Sequence, residues 1–247
     1  MTRLNETRIG ALLNELFGAT FSRSAGMTRH VEHAASVLVG LDADVTVHGD
    51  DRTVRGRAVI VPPDAPFTAN CPGPVATYAF DPELCPRVAG WARAFGGPHT
   101  LDGAAGAQVA GAAWSHRADL ARPDVLAGVG DEARRALASG TPPAIDRRVA
   151  RLVEALRDPQ ADRGAAIART RLSAAHLQVL FARDIGIPMR TYQLWRRLLH
   201  ALARVGPLDL TAAAHAAEFA DLAHFSRTCR RMLGYAPSVL RANLVTG

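Results

Sequence analysis

Phe219–Pro237 reads FADLAHFSRTCRRMLGYAP, and this stretch decides the fold predicted for the C-terminal part of the chain. Asp221 offers a side-chain oxygen to the first free amides of a helix, and Gly234 offers a left-handed stop, so a helix is predicted over 221–233. Apolar residues recur along one face of this helix at Leu222, Phe225, Cys229, Met232 and Leu233. The opposite face is polar and cationic, with His224, Ser226, Arg227, Thr228, Arg230 and Arg231.

A helix with such a face suits insertion against DNA phosphates and base edges. A basic helix that merely faces solvent would show the same pattern, so the stretch alone leaves both interpretations open. Its neighbours are needed to decide between them.

The same design occurs twice in the chain. A short helix, a tight turn and a second helix are predicted at 163–184 and again at 210–233, and each second helix is followed by a glycine and then a proline. This repetition indicates a duplicated helix-turn-helix. The helix predicted between the copies, at 188–205, would span about 27 Å at ~1.5 Å per residue. We expect it to hold two recognition helices near the ~34 Å that separates successive major-groove turns on one DNA face.

Charge is distributed unevenly along the 247 residues, whose net charge is +6. From Asp146 onward there are 16 arginines against 8 acidic residues, whereas the first 145 residues hold 13 arginines and 15 acidic residues. The chain contains no lysine. A basic C-terminal module beside a mildly acidic N-terminal one predicts a polyanionic partner.

Other classes of protein are disfavoured by the sequence. No run approaches the roughly 18 apolar residues of a membrane span, and the N-terminus lacks a signal-peptide pattern, so we expect a cytoplasmic protein without a membrane partner. Cys71, Cys85 and Cys229 fit no metal-ligand spacing. Ordinary small core or surface residues are expected there, in preference to a disulfide or an oxidant sensor.

The N-terminal part has a different period. Short segments rich in Val and Thr, separated by turn sequences, predict an antiparallel sandwich or barrel with strands at 34–41, 43–48, 52–61 and 74–80. Residues 19–30 are interpreted as irregular. Helices are expected to flank the strands at 4–17, 82–95, 104–113 and 131–138.

Thr141-Pro142-Pro143 is the predicted linker. It divides the chain into a domain over 1–140 and a second domain over 145–247. The second domain is predicted to be all helix, at 145–157, 163–169, 174–184, 188–205, 210–217, 221–233 and 237–243. The fold class is therefore α+β, an antiparallel barrel followed by an all-α domain with two helix-turn-helix motifs.

The C-terminal module resembles the AraC/XylS family of bacterial transcription regulators. The second copy carries the resemblance through Phe219, Asp221, His224-Phe225-Ser226-Arg227, Arg230-Arg231, Leu233-Gly234 and Pro237. The first copy agrees through Leu172-Ser173, Leu177, Leu180-Phe181, Gly186, Tyr192 and Trp195-Arg196-Arg197. The N-terminal strands, notably 58–66, are similar to the cupin-type sensor domains of this family.

The resemblance implies a transcription regulator that binds double-stranded DNA. Its N-terminal domain would sense a small-molecule effector or mediate dimerisation. It also implies a homodimer, RNA polymerase as a further partner, and no cofactor. Carried over position by position, the family's base contacts fall on Ala175, Gln178, Val179, Ala223 and Arg227. Phosphate contacts are expected from Arg183, Arg190, Arg196, Arg230 and Arg231.

Two of the base contacts have specific chemistry. Gln178 suits a bidentate pair with adenine and Arg227 a bidentate pair with guanine, whereas alanine and valine meet only thymine methyls or shape. The alternatives are that Gln178 is a solvated helix residue and that Arg227 binds a phosphate.

The sequence departs from the family at the second turn. Glu218 stands where the family has glycine, and a left-handed conformation there would cost a glutamate about 1 kcal/mol. Ala213 and Ala217 replace larger aliphatic residues, so thin packing is expected. These departures keep open a second hypothesis, a ligand-binding or dimerisation protein whose helical module has lost tight DNA binding.

Catalytic chemistry is not predicted. No Ser/His/Asp arrangement or glycine-rich phosphate loop is recognisable, and Asp64 is interpreted as a turn former. His30 and His33 form the one histidine cluster of the N-terminal part, and Phe67 stands where a closing histidine of a cupin metal site would be needed. A surface or pocket-lining role is therefore expected for both histidines rather than metal binding, and a cupin enzyme with a basic tail is the third, least favoured class.

An effector pocket in the barrel would be lined by inward-facing strand residues. The candidates are Val37, Val39, Val45 and Val59. The sequence does not separate such residues from plain hydrophobic core.

Overall fold

The computed structural model describes residues 10–13, 17–23, 25–138, 142, 144–158, 161–205 and 208–241. The strands are β1 Gly10–Leu13, β2 Phe17–Ser22, β3 Ala25–Val31, β4 Ala35–Gly40, β5 Val45–His48, β6 Thr53–Gly56, β7 Ala58–Val61, β8 Pro66–Cys71, β9 Val75–Phe80 and β10 His99–Thr100. The helices are α1 Pro86–Arg93, α2 Gly103–Ser115, α3 Pro123–Leu137, α4 Arg147–Arg157, α5 Arg163–Arg169, α6 Ala174–Ile185, α7 Met189–Leu202, α8 Leu210–Ala216, α9 Leu222–Leu233 and α10 Pro237–Arg241.

The chain divides into two compact units. The sheet unit comprises Met1–Thr141 together with Cys229–Gly247, and the helical unit comprises Pro142–Thr228. Among the described helices, none is long and apolar enough to cross a membrane. The predicted linker lies largely outside the described residues, because positions 141 and 143 are not among them.

The strands of the sheet unit pair antiparallel, as predicted. One sheet has six strands in the order β1-β2-β9-β4-β7-β10, and the other has four in the order β3-β8-β5-β6. The α+β class is therefore confirmed, but the described strands form two open sheets instead of a closed barrel. Within the larger sheet Val37 lies opposite Ile60 on one neighbour and opposite Tyr78 on the other.

Strand β4 is the centre of this unit, because all six of its residues are buried. Its side chains alternate between two hydrophobic clusters. Val37 and Val39 pack in the cluster that includes α1, α2 and α3, whereas Leu38 packs with the residues of β5 and β8. Full burial on both faces explains why this strand, apart from Ser36, has apolar or small residues throughout rather than an alternating pattern.

The helix predicted over 4–17 is wrong where the structure describes that segment. Residues 10–13 form β1 and residues 17–22 form β2, while 1–9 and 14–16 lie outside the described residues. Strand β2 pairs with β9 along its whole length, from Phe17 opposite Phe80 to Ser22 opposite Val75. The hydrogen bonds of this distant pairing override a local helical spacing.

Three further strands were missed: β3, β8 and the two-residue β10. Strand β3, Ala25–Val31, falls almost wholly within residues 19–30, which were interpreted as irregular, and it pairs with β8 at Pro66–Cys71. Strand β8 has the sequence PFTANC, in which Phe67, Ala69 and Cys71 are buried. The buried residues of β8 alternate with period two, as in a strand. The small and polar residues between them are typical of a loop, which is why the strand was not predicted. Cys71, Cys85 and Cys229 are all buried, consistent with core residues.

The helices from α4 to α10 match their predictions closely, since each predicted helix has a counterpart whose described ends are shifted by a few residues at most. The main difference is α7, which has 14 residues instead of 18 and therefore spans about 21 Å rather than 27 Å. The first helices share one core. Leu152 of α4, Phe181 of α6 and Tyr192 of α7 are buried in it, and the last two rings meet edge to face with centroids 5.6 Å apart.

The two N-terminal histidines are buried, so a surface position, one of the two expected roles, is wrong. The ring of His30 packs on Phe67 with centroids 4.3 Å apart, and burial lowers the pKa of His30. His33 is held between two carboxylates, with its Nδ1 2.6 Å from Asp64 and its Nε2 3.1 Å from Glu83. The described residues contain no group of three or more His, Cys, Asp or Glu side chains that could hold a metal ion.

The His33 arrangement is an internal ion cluster. Burial alone would lower the pKa of His33, but the hydrogen bonds and negative charges of Asp64 and Glu83 outweigh it and raise this pKa to about 9. In turn, burial would raise the pKa of Glu83, but the hydrogen bond and positive charge of His33 hold it below its usual value. Asp64 has a φ of 67°, as a turn former would, and also contacts Arg93 at 3.6 Å. The cluster therefore holds together three loops: the one between β3 and β4, the one between β7 and β8, and the one between β9 and α1.

We expect His33→Ala to lower the free energy of unfolding by about 3 kcal/mol, because it leaves the buried carboxylate of Glu83 without its counter-charge, whereas Asp64 keeps its contact with Arg93. His48→Ala is the matched control, since this exposed histidine hydrogen-bonds the nearby Thr53 hydroxyl, and a change within about 0.5 kcal/mol is expected.

The pH dependence follows from the direction of the shift. The His33 pKa is raised on folding, so its contribution is complete below the unfolded value of ~6.5 and is lost as pH rises through about 9. Urea unfolding at pH 6 and pH 10 checks this. An equal effect of His33→Ala at both values would contradict the ion cluster.

Candidate nucleic-acid interface

The first helix-turn-helix consists of α5 and α6. Ser173 caps α6 by accepting a hydrogen bond from the backbone N–H of His176 at 3.3 Å, and Gly186 ends the helix with a φ of 95°. The buried face carries Leu177, Leu180, Phe181 and Ile185. Burial of this face turns the predicted base-contact residues of α6 outward, and all three are exposed: Ala175, Gln178 and Val179. Val179 is 70% exposed, which is unusual for a large aliphatic side chain.

The second helix-turn-helix consists of α8 and α9. Asp209 caps α8 through the backbone N–H of Ala212 at 2.8 Å, and Asp221 accepts from the backbone N–H of His224 at the start of α9. Both predicted base-contact residues of α9, Ala223 and Arg227, are exposed.

The buried face of α9 is wider than predicted. Phe225, Cys229 and Met232 are buried as expected, but Thr228, assigned to the polar face, is only 2% exposed. His224 is half-buried and meets the ring of Phe219 edge to face, with centroids 5.2 Å apart. The outward face is therefore narrower than the sequence indicated.

The predicted phosphate-contact arginines differ in their surroundings. Arg190, Arg230 and Arg231 are exposed, and Arg196 is half-buried. Arg183 is exposed but lies 2.7 Å from the carboxylate of Asp184, whose side chain is 2% exposed and whose other oxygen accepts from the backbone N–H of Asp146. Arg183 is thus already engaged by a neighbouring carboxylate.

The turn of the second copy is a left-handed helix end. The N–H of Glu218 donates to His215 and the N–H of Phe219 donates to Ala214, the paired hydrogen bonds of a Schellman motif. Glu218 occupies its left-handed position with a φ of 59°, so the predicted strain is present. The equivalent position of the first copy, Arg171, also has a positive φ, of 53°. Both turns therefore use a charged residue where glycine would fit without strain.

The side chain of Glu218 has two cationic neighbours that the sequence did not indicate. Its Oε2 lies 2.7 Å from the guanidinium of Arg163 and 3.6 Å from that of Arg197. These residues are far apart in sequence, so no local sequence pattern predicts the cluster. The carboxylate is compensated rather than isolated.

Small residues of α8 and the alanine that follows it are buried. Ala213 and Ala214 are 0% exposed and Ala217 is 1% exposed. Phe219, the residue after the left-handed position, is also buried. These small side chains therefore face the interior, and the thin packing expected around them stays a prediction.

Comparison with known proteins agrees with this geometry. Residues 166–243 match a family described as a helix-turn-helix domain, which confirms the predicted resemblance to AraC-type regulators over this module. No curated protein matches the chain at a significant level.

The fold also occurs in solved structures of ToxT from Vibrio cholerae. One matches with a TM-score of 0.56 and 9% identity, covering 94% of this chain and 100% of that one. A second, described as unsaturated fatty acid bound wild-type ToxT, matches with a TM-score of 0.54 and 11% identity, covering 94% and 97%. At these identities the likeness concerns the fold.

Asp221→Ala should destabilise the start of α9 and lower the free energy of unfolding by about 1 kcal/mol, because the amide of His224 loses its acceptor. Asp221→Asn keeps a capping oxygen and should stay within a few tenths of the parent. Urea unfolding followed by circular dichroism measures both. If the two variants lose equal stability, the side chain of Asp221 is not acting as a cap.

Proposed function

We propose that this chain, whose C-terminal module is an AraC-type helix-turn-helix domain, is a sequence-specific DNA-binding regulator of transcription. The observation that carries the proposal is the matched build of α6 and α9. Each begins at a capping side chain, buries its apolar face and exposes predicted base-contact residues. In this proposal the two helices enter successive major-groove segments.

Arg227 and Gln178 are the proposed base readers. Both side chains are exposed on the outer faces of their helices, which leaves their polar ends available to base edges. Arg227 would pair with guanine and Gln178 with adenine. Ala175, Val179 and Ala223 carry no hydrogen-bonding groups and would meet thymine methyl groups; the 70% exposure of Val179 fits such a contact.

The remaining affinity would come from phosphates. Arg190, Arg230 and Arg231 are exposed and suited to this role, and Arg196 would contribute from a half-buried position. Arg183 would have to exchange its contact with Asp184 for a phosphate. Because each neutralised phosphate releases counterions, such contacts make binding depend strongly on salt.

The sheet unit is proposed to bind a small-molecule effector, to mediate homodimerisation, or both, and RNA polymerase is a proposed further partner. Val37, Val39, Val45 and Val59 are each 0% exposed and are divided between two hydrophobic clusters, so their present role is packing. A groove of about 290 Å³ lies elsewhere in the unit, lined by Gly40, Leu41, Arg57, Ala110, Gly111 and Trp114.

The groove is the effector site that we would test first. Its walls are mainly apolar, and Arg57, which donates to the carbonyls of Gly40 and Leu41, adds a positive charge. These features suit an apolar ligand with a carboxylate. A fatty acid is a suitable first probe because a ToxT structure of similar fold is described as bound to one.

Arg227→Ala is expected to weaken binding to the selected DNA sequence by about 1–3 kcal/mol and to relax the preference at one base position. The matched control is Arg231→Ala on the same helix, which should weaken all sequences equally and reduce the salt slope by about one. Fluorescence anisotropy with selected and random duplexes measures both. Equal losses on both duplexes for Arg227→Ala would make Arg227 a phosphate contact.

The salt dependence of the unmodified chain tests the proposal itself. With four or five phosphate contacts, the log–log slope of affinity against salt should be about −4, at roughly −0.9 per phosphate. A flat dependence on random duplex would favour the alternative, a ligand-binding or dimerisation protein with weakened DNA binding.

A further inference from the structure

We propose that Glu218 is a positioning residue that fixes the second helix-turn-helix against the first. The consequence for DNA rests on the proposed function, but the structural part does not. The proposal starts from one carboxylate that contacts two arginines on different elements while its own backbone is held in a left-handed conformation.

The three residues belong to three different parts of the helical unit. Glu218 lies in the turn between α8 and α9 of the second copy. Arg163 is the first residue of α5 in the first copy, and Arg197 lies within α7, which joins the copies. The carboxylate therefore connects both motifs and the helix between them.

Backbone geometry aims this carboxylate. The hydrogen bonds from Glu218 to His215 and from Phe219 to Ala214 fix the turn, and the buried ring of Phe219 fixes the residue that follows. The backbone from which the Glu218 side chain extends is thus fixed, so only side-chain freedom is lost when the carboxylate pairs with the arginines.

Strain at Glu218 strengthens the inference. A glycine would adopt this conformation without a steric penalty, and strained residues persist where their surroundings hold them. Glu218 is 57% exposed and its partners Arg163 and Arg197 are 34% and 33% exposed. A single pair at such exposure contributes little, but one carboxylate shared by two arginines forms a network that ties three elements.

The network also affects which arginines are available to DNA. Glu218 neutralises two guanidinium groups that are about one-third exposed, and their charge would add to the attraction for phosphates in its absence. Its loss is expected to have two opposite effects: a less defined orientation of α9 relative to α6, and more positive charge for non-specific binding. A residue that merely repels DNA would show only the second.

The structural part is tested without DNA by measuring the distance between spin labels at Val179→Cys and Ala223→Cys in the full chain, both positions being exposed. The native cysteines are buried and should label poorly. We expect a narrow distance distribution with Glu218 and a broader one in Glu218→Gln and Glu218→Gly. The glycine variant removes the strain as well, so broadening there shows a lost contact rather than a misfolded turn.

Arg171→Gly is the matched control, because it relieves the equivalent left-handed position of the first copy and leaves the carboxylate in place. Its distribution should stay narrow. An unchanged distribution in both Glu218 variants would overturn the proposal.

Binding measurements test the consequence. Glu218→Gln should weaken the selected sequence about three- to tenfold, while affinity for random duplex stays equal or rises. Adding Arg163→Gln to Glu218→Gln should cause little further loss on the selected sequence. An equal rise in affinity for both duplexes would reduce Glu218 to a repelling charge and overturn the proposal. If the unmodified chain binds no DNA, the proposed function fails, and the spin-label distances still decide the structural claim.

Discussion

Burial of one apolar face on each recognition helix is the constraint on which the rest of the helical unit depends. Leu177 and Phe181 in α6, and Phe225 in α9, are 0–1% exposed, so neither helix can rotate about its axis without exposing apolar surface. The side chains that face outward are consequently fixed by those that face inward. Capping by Ser173 and Asp221 then sets where along each helix that outward face begins.

The sheet unit is built on a comparable constraint. Strand β4 is buried on both faces, so its residues must satisfy two separate hydrophobic clusters at once. Polar groups that enter this interior need partners, and His33 meets this need with Asp64 and Glu83. The two units are thus stabilised differently. The helical unit depends on helices with buried apolar faces and capped ends, and the sheet unit depends on a strand buried on both faces and an internal ion cluster.

Local signals in the sequence were enough to place the helices of the C-terminal module, because caps, glycine stops and periodicity all lie within a few residues of the helix they define. The same reasoning failed at residues 10–13 and 17–22, where pairing between β2 and β9 joins segments about 60 residues apart. It also failed for Thr228, whose burial depends on neighbours rather than on its polarity.

In the candidate site, too, local features could be predicted from the sequence and long-range contacts could not. The outward position of Gln178 and Arg227 followed from the helical period, whereas the partners of Glu218 did not. Arg163 and Arg197 precede Glu218 by 55 and 21 residues, and only the folded unit brings the three together. A departure that suggested a weakened turn in the sequence is thus a compensated contact in the structure, although the backbone strain expected for it is present.

Selection of bound sequences from a random DNA pool by the full chain tests the central claim most directly. If α6 and α9 read successive major-groove segments, the selected DNA should contain two conserved blocks separated by about one helical turn, roughly 10 base pairs. Failure to enrich any sequence, or enrichment of a single block, would contradict the account.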